Sequence, residues 1–463
     1  MKKKGVIKKL VYGVGNLSYS VISQTITNFF MFFGTSVLKV SGTLVGLAIA
    51  LSTLWDGFSD TIIGGISDRY SIKGMGKRNG YMLIATFGMA ITNLFVWCIP
   101  TTLSEGVKFI WLLVALVVIE TFNTLFATPY SALGNEIAID YHDRTKVQIF
   151  KTIFFLIGIM LPSVLLYLFL PDTSEYPIGQ LNPHGYKKIA VVTSLICIIS
   201  GLICVFGTLK KGKKVESREK FKLKDTFKDF YGTFKIKNIR RIILGYSIAL
   251  ISTTFLTGVG LHFFTYCFFC STRQITILLF SLILGTILSQ PLWFYMSKYK
   301  DKKPSLLFAM VFSIIGVFII IICYLFRSVF LNSTFYLILF STFVCGFGSG
   351  ALYSLPSSIY ADEVSKQNKL SGKDRTATFS GIFTFTSNLF SSVSLFFVGI
   401  LLDLIGFNSQ LSSQSLRVQM WLAIILFVGV ELSLIVGYYF FSLYNTKRRF
   451  QRQKKIEKLN ESN

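Results

Sequence analysis

The sequence predicts an all-α polytopic membrane protein of twelve transmembrane helices arranged as two six-helix halves. Three observations carry that expectation. The first is composition: of 463 residues, 52% are hydrophobic and only 15% charged, against roughly a quarter charged in a soluble domain. The second is length, because the apolar residues fall in blocks of about 20 or more, enough to cross ~30 Å of hydrocarbon as a helix. The third is the placement of cations, which alternates from one connection to the next.

The spans read near 12–36, 43–67, 81–100, 107–130, 148–170, 189–208, 242–269, 274–297, 305–326, 332–358, 377–405 and 419–444. Lys2, Lys3, Lys4, Lys8 and Lys9 precede the first span, and Arg69, Lys73, Lys77 and Arg78 follow the second. Arg144 and Lys146 follow the fourth, Lys298 to Lys303 the eighth, Lys366 to Arg375 the tenth, and Lys447 to Lys458 the last. The opposite connections hold little more than Lys39, Lys108 and Arg273. Positive charge marks the cytoplasmic side. Both termini are therefore expected in the cytoplasm, in a plasma or bacterial inner membrane. The net charge of +25 then records topology and attraction to anionic membrane lipid, and nucleic acid is excluded as a partner. The seven Cys lie in or beside apolar blocks and read as small core residues. That reading extends to the Cys267-Cys270 pair, which has Phe between its members.

The connection from Leu209 to Arg241 carries thirteen Lys/Arg and four Asp/Glu, with Phe221, Phe227, Phe230, Tyr231 and Phe234 interleaved. It reads as an amphipathic linker on the membrane surface. The chain thus divides into a half over 1–208, a basic linker over 209–241, a half over 242–445 and a basic tail over 446–463. The halves echo each other. Span four is expected to end at Pro129, followed by Asn135-Glu136 and Asp143-Arg144-Thr145. Span ten is expected to end at Pro356, followed by Asp362-Glu363 and Asp374-Arg375-Thr376. A repeated half around a midplane site is transporter architecture.

An ionisable residue inside a span marks a functional position by default. Asp56 and Asp60 of span two stand at i and i+4, on one helical face, with Ser59 supplying an oxygen from the same turn. Two carboxylates so placed repel, which favours a shared cation or proton. Glu120 lies midway along span four, one turn before Thr124 and on its face. It reads either as a third carboxylate of the cation site or as a protonated partner of an adjacent helix. Glu431 in span twelve reads as structural. In span one Tyr19, Gln24, Thr27 and Asn28 form a candidate cavity face, and His262 in span seven reads as cavity-lining or as a packed histidine.

Tyr12-Gly13-Val14-Gly15, Trp55-Asp56 with Asp60, Thr128-Pro129-Tyr130, Asp143-Arg144-Thr145 and Gly381-Ile382-Phe383-Thr384-Phe385 resemble the glycoside–pentoside–hexuronide cation symporters. That is the family of the melibiose carrier, within the major facilitator superfamily. The resemblance runs from about residue 10 to 445. It implies a major facilitator fold and a cation-binding set of Asp56, Ser59, Asp60 and Thr124 for Na⁺, Li⁺ or H⁺. It also implies a substrate site at positions occupied here by Ser20, Ala127, Ser131, Lys151 and Asn388 or Ser387. Two acids of the sugar-transporting members are absent: Ser20 and Ala127 stand in their places. A cytoplasmic tether at Asp68-Arg69, assisted by Arg144 and Arg375, is implied as well.

The expected function is symport of a small organic solute of sugar or glycoside type with Na⁺ or H⁺, by a monomer without cofactor. Two alternatives stay open, a sodium-coupled lysophospholipid transporter of the same superfamily and a non-transporting membrane sensor. A membrane enzyme is not expected, because no acid/His constellation lies at a membrane edge and no large extramembrane domain is present.

Overall fold

The computed structural model describes residues 2–69, 72, 75, 78–137, 141–209, 232–330, 333–371, 376–408, 411 and 413–444. Among them twelve long helices follow the predicted order and no strand occurs. In the first half these are α1 (Lys2–Phe32), α2 (Gly42–Arg69), α3 (Asn79–Trp97), α4 (Glu105–Ile137), α5 (Tyr141–Phe169) and α6 (Pro183–Thr208). In the second half they are α7 (Lys237–Tyr266), α8 (Thr272–Lys300), α9 (Lys302–Leu325), α10 (Thr334–Ser349 and Leu355–Ser371), α11 (Thr376–Leu404) and α12 (Leu416–Ser442). Eleven of them are long and apolar enough to cross a membrane. The exception is α1, which has the length but carries four lysines in its first two turns and a polar face beyond.

Local chemistry sets several helix ends. Asn182 caps α6 by accepting from the His184 N–H, with Pro183 in the first turn, where a missing amide hydrogen costs nothing. Pro129 does not end α4, as its sequence position implies; the helix continues through it to Ile137. Helices in lipid tolerate an internal proline when neighbours satisfy the freed backbone groups.

Span ten also departs from expectation. Rather than one helix ending near 358, α10 tightens to a 3₁₀ turn over Gly350–Tyr353 and restarts at Leu355, running to Ser371. The break is stabilised from α8: Gln290 Nε2 donates to Gly350 O at 2.7 Å, Trp293 Nε1 to Phe347 O at 2.9 Å and Thr286 Oγ1 to Gly346 O at 3.1 Å. The Phe347 and Gly350 carbonyls beside the break are therefore paired from α8, as the membrane interior demands. Gly346 allows this approach, since a Cβ there would collide with the Leu282 carbonyl.

Packing contacts divide the described residues into two compact units. One comprises those within Met1–Phe221, Thr254–Phe280 and Ser392–Leu426, the other those within Lys222–Thr253, Ser281–Ser391 and Phe427–Asn463. In the first unit α1 packs on α5 and α6, α2 on α4, and α3 on α4 and α6. Asn93 ties α3 to α6, donating to Ala190 O, Thr193 and Ser194, while Trp97 donates back to Asn93 Oδ1. The outward faces carry Ile91, Ile110 and Leu168, all more than half exposed; such faces suit lipid.

The same unit holds the cation-poor ends of α7, α8, α11 and α12 against the first-half helices. There α1 widens into a fully buried π turn over Phe33–Val37. The short link that follows is held by Lys108, which donates to Leu38 O at 2.8 Å, and by Glu105, which accepts from the Ser41 N–H at 2.7 Å. In the second unit Lys302 pairs with Asp362 at 2.6 Å, joining α9 to α10.

Candidate functional site

The site forms where α2 packs on α4. Ridge-forming side chains meet there, and Trp55 of α2 donates its indole N–H to Thr121 Oγ1 of α4 at 2.8 Å. One turn along, Thr124 donates to Asp56 Oδ1 at 2.8 Å. The Ser59 hydroxyl lies 3.0 Å from the Asp56 carbonyl and 3.3 Å from Thr124 Oγ1. Asp60 follows one turn after Asp56 on the same face of α2. The four residues expected to bind cation thus come together: Asp56, Ser59 and Asp60 on one face of α2, with Thr124 facing them from α4. Ser59 and Thr124 are buried, and the two aspartates are half-buried.

Glu120 sits one turn from Thr124 and accepts from Asn123 Nδ2 at 3.1 Å. It lies close enough to interact with Asp56 and Asp60, and Tyr19 of α1 lies within electrostatic reach of all three carboxylates. Among the described residues no Lys, Arg or His forms an ion pair with Asp56, Asp60 or Glu120. Nor does any group of three or more His, Cys, Asp or Glu take up metal-binding geometry. What remains is an all-oxygen site of two carboxylates and two hydroxyls. A carboxylate pair without a cationic side chain favours a shared proton or cation.

The residues expected to form a substrate cavity do not share one place. Tyr19 and Gln24 are half-buried on α1. Ser20 is fully buried, and its Oγ fills the space where a Cβ on Gly158 of α5 would lie. On α4, Ala127 is half-buried and Ser131 exposed. Lys151 of α5 places its ammonium 5.6 Å from the centroid of the Tyr130 ring, and its carbonyl accepts from Asn16. Tyr130 is itself stacked on Tyr12 at 4.3 Å, each hydroxyl donating to the other residue's carbonyl at 3.0 Å.

His262 is completely buried, with Nε2 2.8 Å from Thr35 Oγ1 in the π turn and its ring between Phe32 and Phe407. It packs rather than lining an opening. In the second unit Asn388 borders a cavity of about 410 Å³, beside Ser387, Tyr246, Tyr360 and Phe383. Phe383 stacks on both tyrosines, at 4.8 Å from Tyr246 and 4.4 Å from Tyr360. No periodicity marks this aromatic shelf in the sequence, because its rings come from three different helices. The expected gating residues Asp68, Arg69 and Arg144 lie where side chains fall outside the described residues, and Arg375 lies outside them altogether.

A sequence profile of the MFS/sugar transport protein family matches residues 11–448. The chain belongs to that family. The sodium-dependent lysophosphatidylcholine symporter 1 of Xenopus tropicalis is 22% identical across the whole chain and 91% of its own length. The inner membrane symporter YicJ of Escherichia coli strain K12 is 24% identical over 44% of each chain. Two solved structures share the fold. A bacterial homologue of the human lysosomal transporter Spinster, inward-facing, superposes with TM-score 0.66 at 14% identity, covering 96% of both chains. The nucleoside transporter NupG superposes with TM-score 0.62 at 15% identity, over 95% of this chain and 99% of its own. The chain is therefore an integral, multi-pass membrane transporter of small molecules and not an enzyme.

Proposed function

We propose that the chain is a cation-coupled symporter of the glycoside–pentoside–hexuronide type, moving a sugar- or glycoside-type solute with Na⁺ or H⁺. The observation that carries the reading is the closed oxygen set between α2 and α4, in which Thr124 donates to Asp56 and Ser59 contacts both. A cation entering between Asp56 and Asp60 relieves their repulsion and fixes the face that α2 presents to α4. Solute binding beside that face is then favoured, and the solute favours cation binding by the same factor, since coupling between two ligands is reciprocal. Rocking of the two six-helix halves about the site would release both on the cytoplasmic, cation-rich side. Asp68, Arg69, Arg144 and Arg375 are the residues proposed to latch that side.

In this reading the solute contacts Tyr19 and Gln24 on α1 and Lys151 on α5. Within the second unit, the cavity beside Asn388 presents the ring faces of the Tyr246–Phe383–Tyr360 stack, which suit a neutral polyhydroxylated solute. A second reading, sodium-coupled transport of a lysophospholipid, is favoured by the relatives that span the whole chain under the name sodium-dependent lysophosphatidylcholine symporter.

Uptake into cells expressing the protein, with and without an inward Na⁺ gradient, tests both. The panel is labelled glycosides, pentosides, hexuronides and lysophosphatidylcholine. Na⁺-stimulated uptake of a glycoside-type solute supports the first reading, and stimulated uptake of the lysolipid alone supports the second. Absence of cation stimulation for any member, with the protein in the membrane, contradicts both.

A further inference from the structure

We propose that Glu120 and Asn123 form a second monovalent-cation site beside the Asp56–Asp60 site, so that the transporter binds two cations rather than one. The inference rests on the cation-coupled reading above and extends it. Charge is the first argument. Asp56, Asp60 and Glu120 interact with one another inside the membrane, and no cationic side chain among the described residues pairs with them. With all three ionised, one cation would leave two negative charges uncompensated, so the remaining acids must hold a proton or a further cation.

The amide of Asn123 is the second, independent observation. Asn123 is 2% exposed, and its Nδ2 donates to Glu120 Oε2 at 3.1 Å, yet its Oδ1 is buried with no partner. A buried acceptor without a donor costs free energy until something positive reaches it. Oδ1 and Nδ2 belong to one small planar group, so the bare oxygen is one amide width from the nitrogen that holds the carboxylate. A cation there would take oxygens from Glu120 and Asn123 together. Of the helices packed on α4, α3 carries no Asp, Glu, Lys, Arg or His between Asn79 and Trp97, α2 brings Asp56 and Asp60, α1 brings Tyr19, and Lys151 of α5 lies over the Tyr130 ring.

Na⁺ and a proton share the chemistry this site recognises, and binding of radioactive Na⁺ to the purified full-length protein at several pH values separates them. Two Na⁺ per wild-type chain, falling to one in Glu120→Gln, identifies the second cation as Na⁺. One Na⁺ per chain, with an affinity whose dependence on pH becomes shallower in Glu120→Gln, identifies it as a proton. Asn123→Leu removes the second ligand and is expected to act in the same direction, while Glu120→Asp retains wild-type stoichiometry. Isotherms of Glu120→Gln and Asn123→Leu that overlay wild type at every pH overturn the proposal. Asp56→Asn keeps the two questions apart. If it binds Na⁺ as wild type does, the primary site has been misassigned, whatever the Glu120 variants show.

Discussion

The Thr124 hydroxyl donates to Asp56 Oδ1 at 2.8 Å, joining α4 to α2 through two residues 68 positions apart in sequence. A hydrogen bond to an ionised group contributes about 1.5–3 kcal/mol, and here it also aims the carboxylate. Thr124→Val keeps the shape and removes the oxygen. Cation affinity, read as the Na⁺ concentration for half-maximal stimulation of uptake, is expected to fall roughly ten- to a hundredfold. Unchanged affinity would show that Thr124 supports packing and is not a ligand.

Asp403 at the end of α11 accepts from two backbone amides at the start of α2, Gly42 N–H to Oδ1 and Thr43 N–H to Oδ2, both at 2.7 Å. A carboxylate on exposed helix N–H groups stabilises by about 1–2 kcal/mol. The helices can meet so closely because Gly42 and Gly399 oppose each other, where either Cβ would collide with the other residue's carbonyl. In Asp403→Ala the amides of Gly42 and Thr43 are expected to exchange with deuterium roughly tenfold faster, with exchange in the rest of α2 unchanged.

The break in α10 leads to a stability prediction. Gln290→Leu leaves the Gly350 carbonyl unpaired where water is scarce, at a cost of about 1–3 kcal/mol. A lower Tm is expected, together with lower expression. Ser297→Ala on the same helix, where the hydroxyl bonds only its own backbone, is expected to leave Tm unchanged.

The shared face of Asp56 and Asp60 could be read from the sequence because the two acids lie one helical turn apart, so periodicity alone puts them there. Thr124 came from resemblance, and the α2–α4 packing supplied the distance. Span positions were equally legible from apolar block length. What escaped was determined by contacts between distant segments. The 3₁₀ turn in α10 follows from Gln290 and Trp293 reaching across from α8, and nothing local in Gly350–Tyr353 announces it. His262 read as a cavity candidate because a polar residue among apolar ones marks either lining or packing. Thr35, two hundred residues earlier, decides for packing. Pro129 read as a helix end by the rule for water, whereas the membrane retains the helix. Asp403 gave no signal, since a single acid after an apolar run resembles any connection.

The most direct measurement is Na⁺ dependence of solute uptake in wild type and in Asp56→Asn, with surface expression matched. Wild-type uptake is expected to rise with an inward Na⁺ gradient, and the response is expected to be lost in Asp56→Asn, which retains the residue's size and removes its charge. Full Na⁺ stimulation in Asp56→Asn would contradict the assignment of the α2–α4 oxygen set as the coupling site.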